Sequence, residues 1–142
     1  MWPPQLLTPV QAILLDKGEG DTVVGFSEAF GIVTKDSIAG KAGEQLHLRD
    51  WQKELVRHVF AGDETGYKNR ISLLGLPRKN GKSALGSIFG LYSLILGAKG
   101  AEVYSVAAEK EQARIVFADA KRMVEASPEL SAITKLYRDA IE

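Results

Sequence analysis

Gly81, Lys82 and Ser83 stand in consecutive positions and offer three separate pieces of phosphate chemistry. A glycine lets backbone N–H groups approach phosphate oxygens, a lysine reaches the β and γ phosphates as a point charge, and a serine hydroxyl can ligate Mg²⁺. The surrounding sequence is of the kind this chemistry needs. Ile71 to Leu76 reads as a short, continuously apolar strand, and Ser83 to Leu96 carries Leu85, Ile88, Phe89, Leu91, Tyr92 and Ile95 at helical spacing. A helix starting there would turn the positive end of its dipole toward a bound anion. The usual pattern G-x-x-x-x-G-K-[ST] is incomplete, because Leu76 holds the first glycine position and Gly75 comes one residue early. The plain structural alternative is a basic turn in which Arg78, Lys79 and Lys82 only solvate a connection.

These residues need elements to position them. Thr8-Pro9 predicts a helix start, with the segment running to Leu15 and ending at Gly18-Glu19-Gly20. Val23, Phe26, Phe30 and Val33 predict a second short helix, and Thr34 to Gln45 reads as a loop or extended connector. Asp50 is expected to cap a helix whose inward positions are Trp51, Leu55, Val59 and Phe60. After the phosphate loop and its helix, Val103 to Val106 reads as a second strand and Glu109 to Ala126 as a long helix. Pro128 opens a final helix expected to run through Leu130, Ile133, Leu136 and Tyr137. Strand, helix, strand, helix implies a parallel crossover unit, and thus an α/β P-loop NTPase of RecA or helicase type, with helices flanking an incomplete parallel sheet.

Bulk properties narrow the classes. A chain of 142 residues is one domain in size and can bury a core. Its 18 basic and 18 acidic side chains balance, so a polyanionic partner would have to be met by a local patch. Cysteine is absent, which excludes disulfides and thiolate metal sites. Met1-Trp2-Pro3-Pro4 does not look like a signal peptide, and the apolar run from Ile88 to Ala98 is too short to span a bilayer. A soluble, intracellular protein is expected.

Three separated elements carry a resemblance: Leu48 to Gln52 (Leu-x-x-Trp-Gln), Pro77-Arg78-Lys79-Asn80-Gly81-Lys82-Ser83, and Ala107-Ala108-Glu109-x-x-Gln112-Ala113. In this order they resemble the start of the ATPase domain of the large terminase subunit of tailed double-stranded DNA bacteriophages. That family's nucleotide loops commonly lack the first glycine and carry an arginine at the position of Arg78. The resemblance implies ATP and Mg²⁺ as cofactors, with Pro77, Arg78, Lys79, Asn80, Gly81, Lys82 and Ser83 forming the nucleotide loop and the Ser83 hydroxyl reaching the metal. Arg78 and Lys82 are the implied catalytic residues, the arginine offering a planar donor fork to the γ phosphate. Gln52 resembles a glutamine that reads the adenine edge, since a carboxamide can donate and accept at once. Lys110, Arg114, Lys121 and Arg122 are a candidate DNA face, although interleaved acids make a solvated surface the simpler reading.

The resemblance further implies double-stranded DNA, a portal protein and a small terminase subunit as partners of the full-length protein, in the cytoplasm of a bacterial host. Residues 1–47 are expected to be a lead-in and 48–142 the first part of the ATPase domain, without the nuclease domain. No apolar strand ending in an acidic pair follows the loop, so the chain is expected to bind ATP without turning it over unaided. Open sheet edges would favour self-association. Another P-loop NTPase, a small-molecule kinase and a non-catalytic interaction module are the alternatives.

Overall fold

In a computed structural model, which describes residues 18–37, 40–63 and 66–142, the helical periodicities become helices and the two apolar runs do not become paired strands. The described elements are α1 (Gly18–Phe30), α2 (Asp50–Val59), β1 (Gly62–Asp63), β2 (Gly66–Tyr67), α3 (Lys82–Leu96), α4 (Lys110–Ala126) and α5 (Pro128–Ile133). The segment predicted as a helix from Thr8 to Leu15 lies outside the described residues. Gly18-Glu19-Gly20 opens α1 rather than ending a preceding helix. Acidic Glu19 and Asp21 in that first turn complement the helix dipole there.

The core is built by helix faces. Val23, Phe26 and Phe30 of α1 meet Val56 of α2, Phe60 just beyond it, and Leu85, Ile88, Leu91 and Tyr92 of α3. Met123 and Val124 of α4 and Leu130 of α5 complete the same cluster. An aromatic group knits the first half together: Phe26 lies 5.0 Å from Phe30 and 5.7 Å from Tyr92, while Phe60 contacts Tyr92 at 5.5 Å and Phe89 at 5.1 Å. Edge-on packing of this kind adds about 0.5–1.5 kcal/mol per pair beyond burial. Helices α3 and α4 are further joined by the buried Ser87, whose hydroxyl lies 2.7 Å from the Ser83 carbonyl and 2.8 Å from that of Val116. Leu46 and Leu48 bury between α1 and α2, so residues on both sides of position 47 share one core.

Three sequence expectations change. The predicted parallel sheet is not formed among the described residues, where the paired strands are the antiparallel β1 and β2, with Gly62 opposite Tyr67 and Asp63 opposite Gly66. Residues 71–76 and 103–106 adopt no regular secondary structure and pair with no strand, with Ile71 90% and Leu73 100% exposed. Apolar character marks a segment for burial, yet a strand exists only where another segment takes its N–H and C=O groups. The helix opened by Pro128 stops at Ile133: Thr134 is extended, with its N–H and hydroxyl both donating to the Leu130 carbonyl at 3.1 and 2.7 Å. Leu136 and Ile141 instead form a bridge in a short C-terminal turn.

On α2, finally, Trp51 is exposed while Gln52 and Val56 are buried. The buried stripe runs through 52, 55, 56, 59 and 60, so Leu55, Val59 and Phe60 face inward as expected and Trp51 alone gives way to Gln52 and Val56. Arg49, not Asp50, is the capping position, and its N–H donates to Gln52 Oε1 at 2.9 Å.

Helices α1 and α2 approach so closely that the position of one glycine is decided by contact. A Cβ on Gly20 would stand 2.7 Å from the Arg57 Cα. Gly20→Ala is therefore expected to destabilise the chain by about 1–3 kcal/mol, because backbone must move and the helix-propensity gain of about 1 kcal/mol is smaller than that strain. Urea denaturation followed by circular dichroism measures it; an increase in stability would mean that α1 and α2 are not packed at this distance.

Candidate nucleotide-binding site

The turn before α3 is shaped by two left-handed residues. Lys79 has φ 65° and Gly81 has φ 79°. Gly81 is the N-cap of α3 and leaves the first N–H groups of the helix without a side-chain partner at the cap. Asn80 turns its amide back on the loop, donating to the carbonyls of Pro77 at 3.3 Å and Arg78 at 3.4 Å. Lys82 Nζ donates to the Leu76 carbonyl at 2.7 Å, so the side chain spans its own loop. Gln52 supports the turn from α2, its Nε2 lying 3.5 Å from the Asn80 carbonyl and 3.4 Å from where a Cβ on Gly81 would sit.

Lys79 carries its backbone strain without the exemption glycine has. A left-handed conformation costs a non-glycine residue roughly 1–2 kcal/mol, while glycine adds about 0.5–1 kcal/mol of unfolded-state entropy. Lys79→Gly is accordingly expected to raise stability by about 0.5–1 kcal/mol. A shift of the urea midpoint in the opposite direction would show that the lysine side chain contributes more than the strain removes.

Loop and helix open on a cavity of about 610 Å³. The structure brings Gln52 together there with Arg78, Lys79, Asn80, Gly81, Lys82 and Ser83; Pro77 does not line the cavity, and its carbonyl accepts from Asn80. Three cations of the loop are joined by Lys35 and Arg49 against two carboxylates, Asp36 and Asp119. A chain with no net charge thus concentrates positive charge at one cavity, which suits a polyanion. The Ser83 hydroxyl is exposed at the first turn of α3, where it can meet a cation already carried by phosphate. Among the described residues no group of three or more His, Cys, Asp or Glu could hold a metal by itself.

Some of the cavity was not foreseen from the residues. Trp51, 37% exposed, lines it beside Gln52. The only available signal was its adjacency to Gln52, and its size argued for the core instead. Val33 to Ser37 also line it, although they lie more than forty positions before the loop, as does Asp119 of α4. Asp119 is 3% exposed; burial pushes its carboxyl up from the ordinary range, while Arg122, Lys35 and a hydrogen bond from Thr34 act in the other direction. The candidate DNA face on α4 is partly neutralised within the chain. Arg114 pairs with Glu111 at 3.3 Å and Asp139 at 3.2 Å, and Arg122 pairs with Asp119 at 3.2 Å.

Taken as a class, a glycine-capped helix with lysine and serine in its first turn, opening on a cationic cavity, has the arrangement and charge that suit an anion. The family is narrower than the class. A model described as "Terminase large subunit, ATPase domain" matches residues 50–141, and the chain belongs to that family. It is 30% identical over 122 residues to the large terminase subunit of Enterobacteria phage HK97, covering 82% of this chain and 22% of that protein. Its structure is similar to the crystal structure of the HK97 bacteriophage large terminase, with a TM-score of 0.62, 27% identity, and coverage of 86% of this chain and 24% of that one. The chain thus spans about a quarter of the length of these relatives. No helix among the described residues is long and apolar enough to cross a membrane.

Proposed function

We propose that this chain carries the nucleotide-binding part of a phage DNA-packaging ATPase with a P-loop NTPase fold. The observation that carries the proposal is the meeting of Gly81, Lys82 and Ser83 with Gln52 and Trp51 around one cationic cavity. Bound Mg-ATP would supply the phosphoryl group and its metal; the chain's own residues bind and orient. Lys82, now bonded to the Leu76 carbonyl, and Arg78 would hold the phosphates, and the Ser83 hydroxyl would help hold the metal that comes with them.

Gln52 has one amide hydrogen and one oxygen lone pair engaged, by Asn80 and Arg49, and keeps one of each for the adenine edge. The Trp51 indole is available to the face of the base. In the whole protein, ATP turnover would drive double-stranded DNA into a procapsid in concert with portal and small subunit, in the host cytoplasm.

Trp51 provides the test. In a Trp2→Phe background its emission reports directly on the cavity, and Mg-ATP is expected to change it saturably, with Mg-ADP competing. A linear response with no saturation would overturn the proposal.

A further inference from the structure

The phosphate loop is one wall of the cavity, and residues 33–37, between α1 and α2, are another. This connector is ordered by its own backbone. Val33 N–H donates to the Glu44 carbonyl at 2.8 Å, Gly43 N–H to the Val33 carbonyl at 2.8 Å, and Ala42 N–H to Asp36 Oδ1 at 2.8 Å. It faces α4 across the same cavity, which the buried Asp119 also lines. Lys35 follows Thr34 directly. It shares the cavity with Asp119, and among the described residues it makes no contact ion pair.

A flexible lysine on an exposed connector would ordinarily turn to solvent, away from four other cations. Here the connector is fixed against a carboxylate kept out of water, which has to be repaid by neighbouring donors and cations. Arg122, at 3.2 Å, satisfies one side of that carboxylate. Lys35 makes no contact ion pair with it and keeps its charge for the cavity.

We infer that Lys35 is a second lysine for the polyphosphate of the bound nucleotide, supplied from outside the phosphate loop, and that the buried Asp119, which lines the same cavity, is the positioning residue whose charge holds that lysine there. The inference rests on the nucleotide-site reading above.

The experiment compares Mg-ATP affinity by Trp51 emission in the Trp2→Phe chain and in Lys35→Ala, Lys35→Arg, Asp119→Asn, Lys82→Ala and the Lys35→Ala/Asp119→Asn pair. Loss of one charge-assisted contact is expected to raise Kd roughly tenfold in Lys35→Ala, with the ligand-free melting temperature unchanged and affinity largely restored in Lys35→Arg. Asp119→Asn should weaken binding severalfold, and this effect should vanish in the Lys35→Ala background, where there is no longer a lysine to place. An unchanged Kd in Lys35→Ala beside a weakened Lys82→Ala would remove Lys35 from the site and leave the nucleotide reading standing. Additive effects of Lys35→Ala and Asp119→Asn would make Asp119 merely structural. Absence of saturable Mg-ATP binding, or indifference to Lys82→Ala, would take down the nucleotide reading and this inference with it.

Discussion

Lys82→Ala is expected to abolish most of the thermal stabilisation that Mg-ATP gives the chain. A ligand that binds only the folded state at a hundred times its Kd adds about 2.7 kcal/mol. For a domain of this size that corresponds to roughly 3–5 °C in melting temperature per kcal/mol. Removing a charged donor from phosphate costs about 1.5–3 kcal/mol of binding, a rise in Kd on the order of ten- to a hundredfold. At the same ligand concentration the gain then falls below about 1.5 kcal/mol.

The free protein should hardly notice the substitution. Lys82 is exposed and its observed partner, the Leu76 carbonyl, lies at the surface where water can replace it. Calorimetry with and without Mg-ATP therefore separates a binding effect from a folding effect. Equal ligand-induced shifts in both proteins would mean that the nucleotide does not use this loop.

The largest loss of stability is expected from Phe26→Ala. Phe26 is 2% exposed and touches the rings of Phe30 and Tyr92, linking α1 to α3. Deleting a buried phenyl ring costs about 3–5 kcal/mol, the transfer term together with the cavity left behind. Total stabilities are on the order of 5–15 kcal/mol, so this is a large share. The urea midpoint should fall sharply and near-ultraviolet dichroism should flatten at temperatures where the parent is folded. A midpoint within error of the parent would show that α1 is not docked on α3, which would also weaken the case for a connector fixed beside the nucleotide cavity.

The helices were the legible part of the sequence. Residues 85, 88, 91 and 92 bury as their spacing predicts, and Ser127-Pro128 opens α5, with the Ser127 hydroxyl accepting from the Leu130 N–H at 3.2 Å. Such signals are local, because a helix satisfies its own backbone and shows its inner face within a few residues. Strand pairing has no equivalent local record. Residues 71–76 and 103–106 have the apolar character of strands, but their ladder partners must come from elsewhere in sequence, and none is in place among the described residues. On α2 the signal was present and misassigned. The size of Trp51 suggested the core, whereas Gln52 could be buried because Arg49 and the loop at Asn80 each take one of its polar groups.

The Gly81-Lys82-Ser83 turn, its helix and the cationic character of residues 78–82 were all determined by the sequence alone, since each follows from residue type at short range. The cavity those residues open on was decided only by tertiary structure. Packing of α1 against α2 and of α3 against α4 sets Gln52, Trp51, Lys35 and Asp119 around a loop far from most of them in sequence. Long-range placement of this kind comes from apolar burial, which is non-directional and names no particular partner, so the polar residues that ride on those helices cannot be assigned to a common site before the core that assembles them is known.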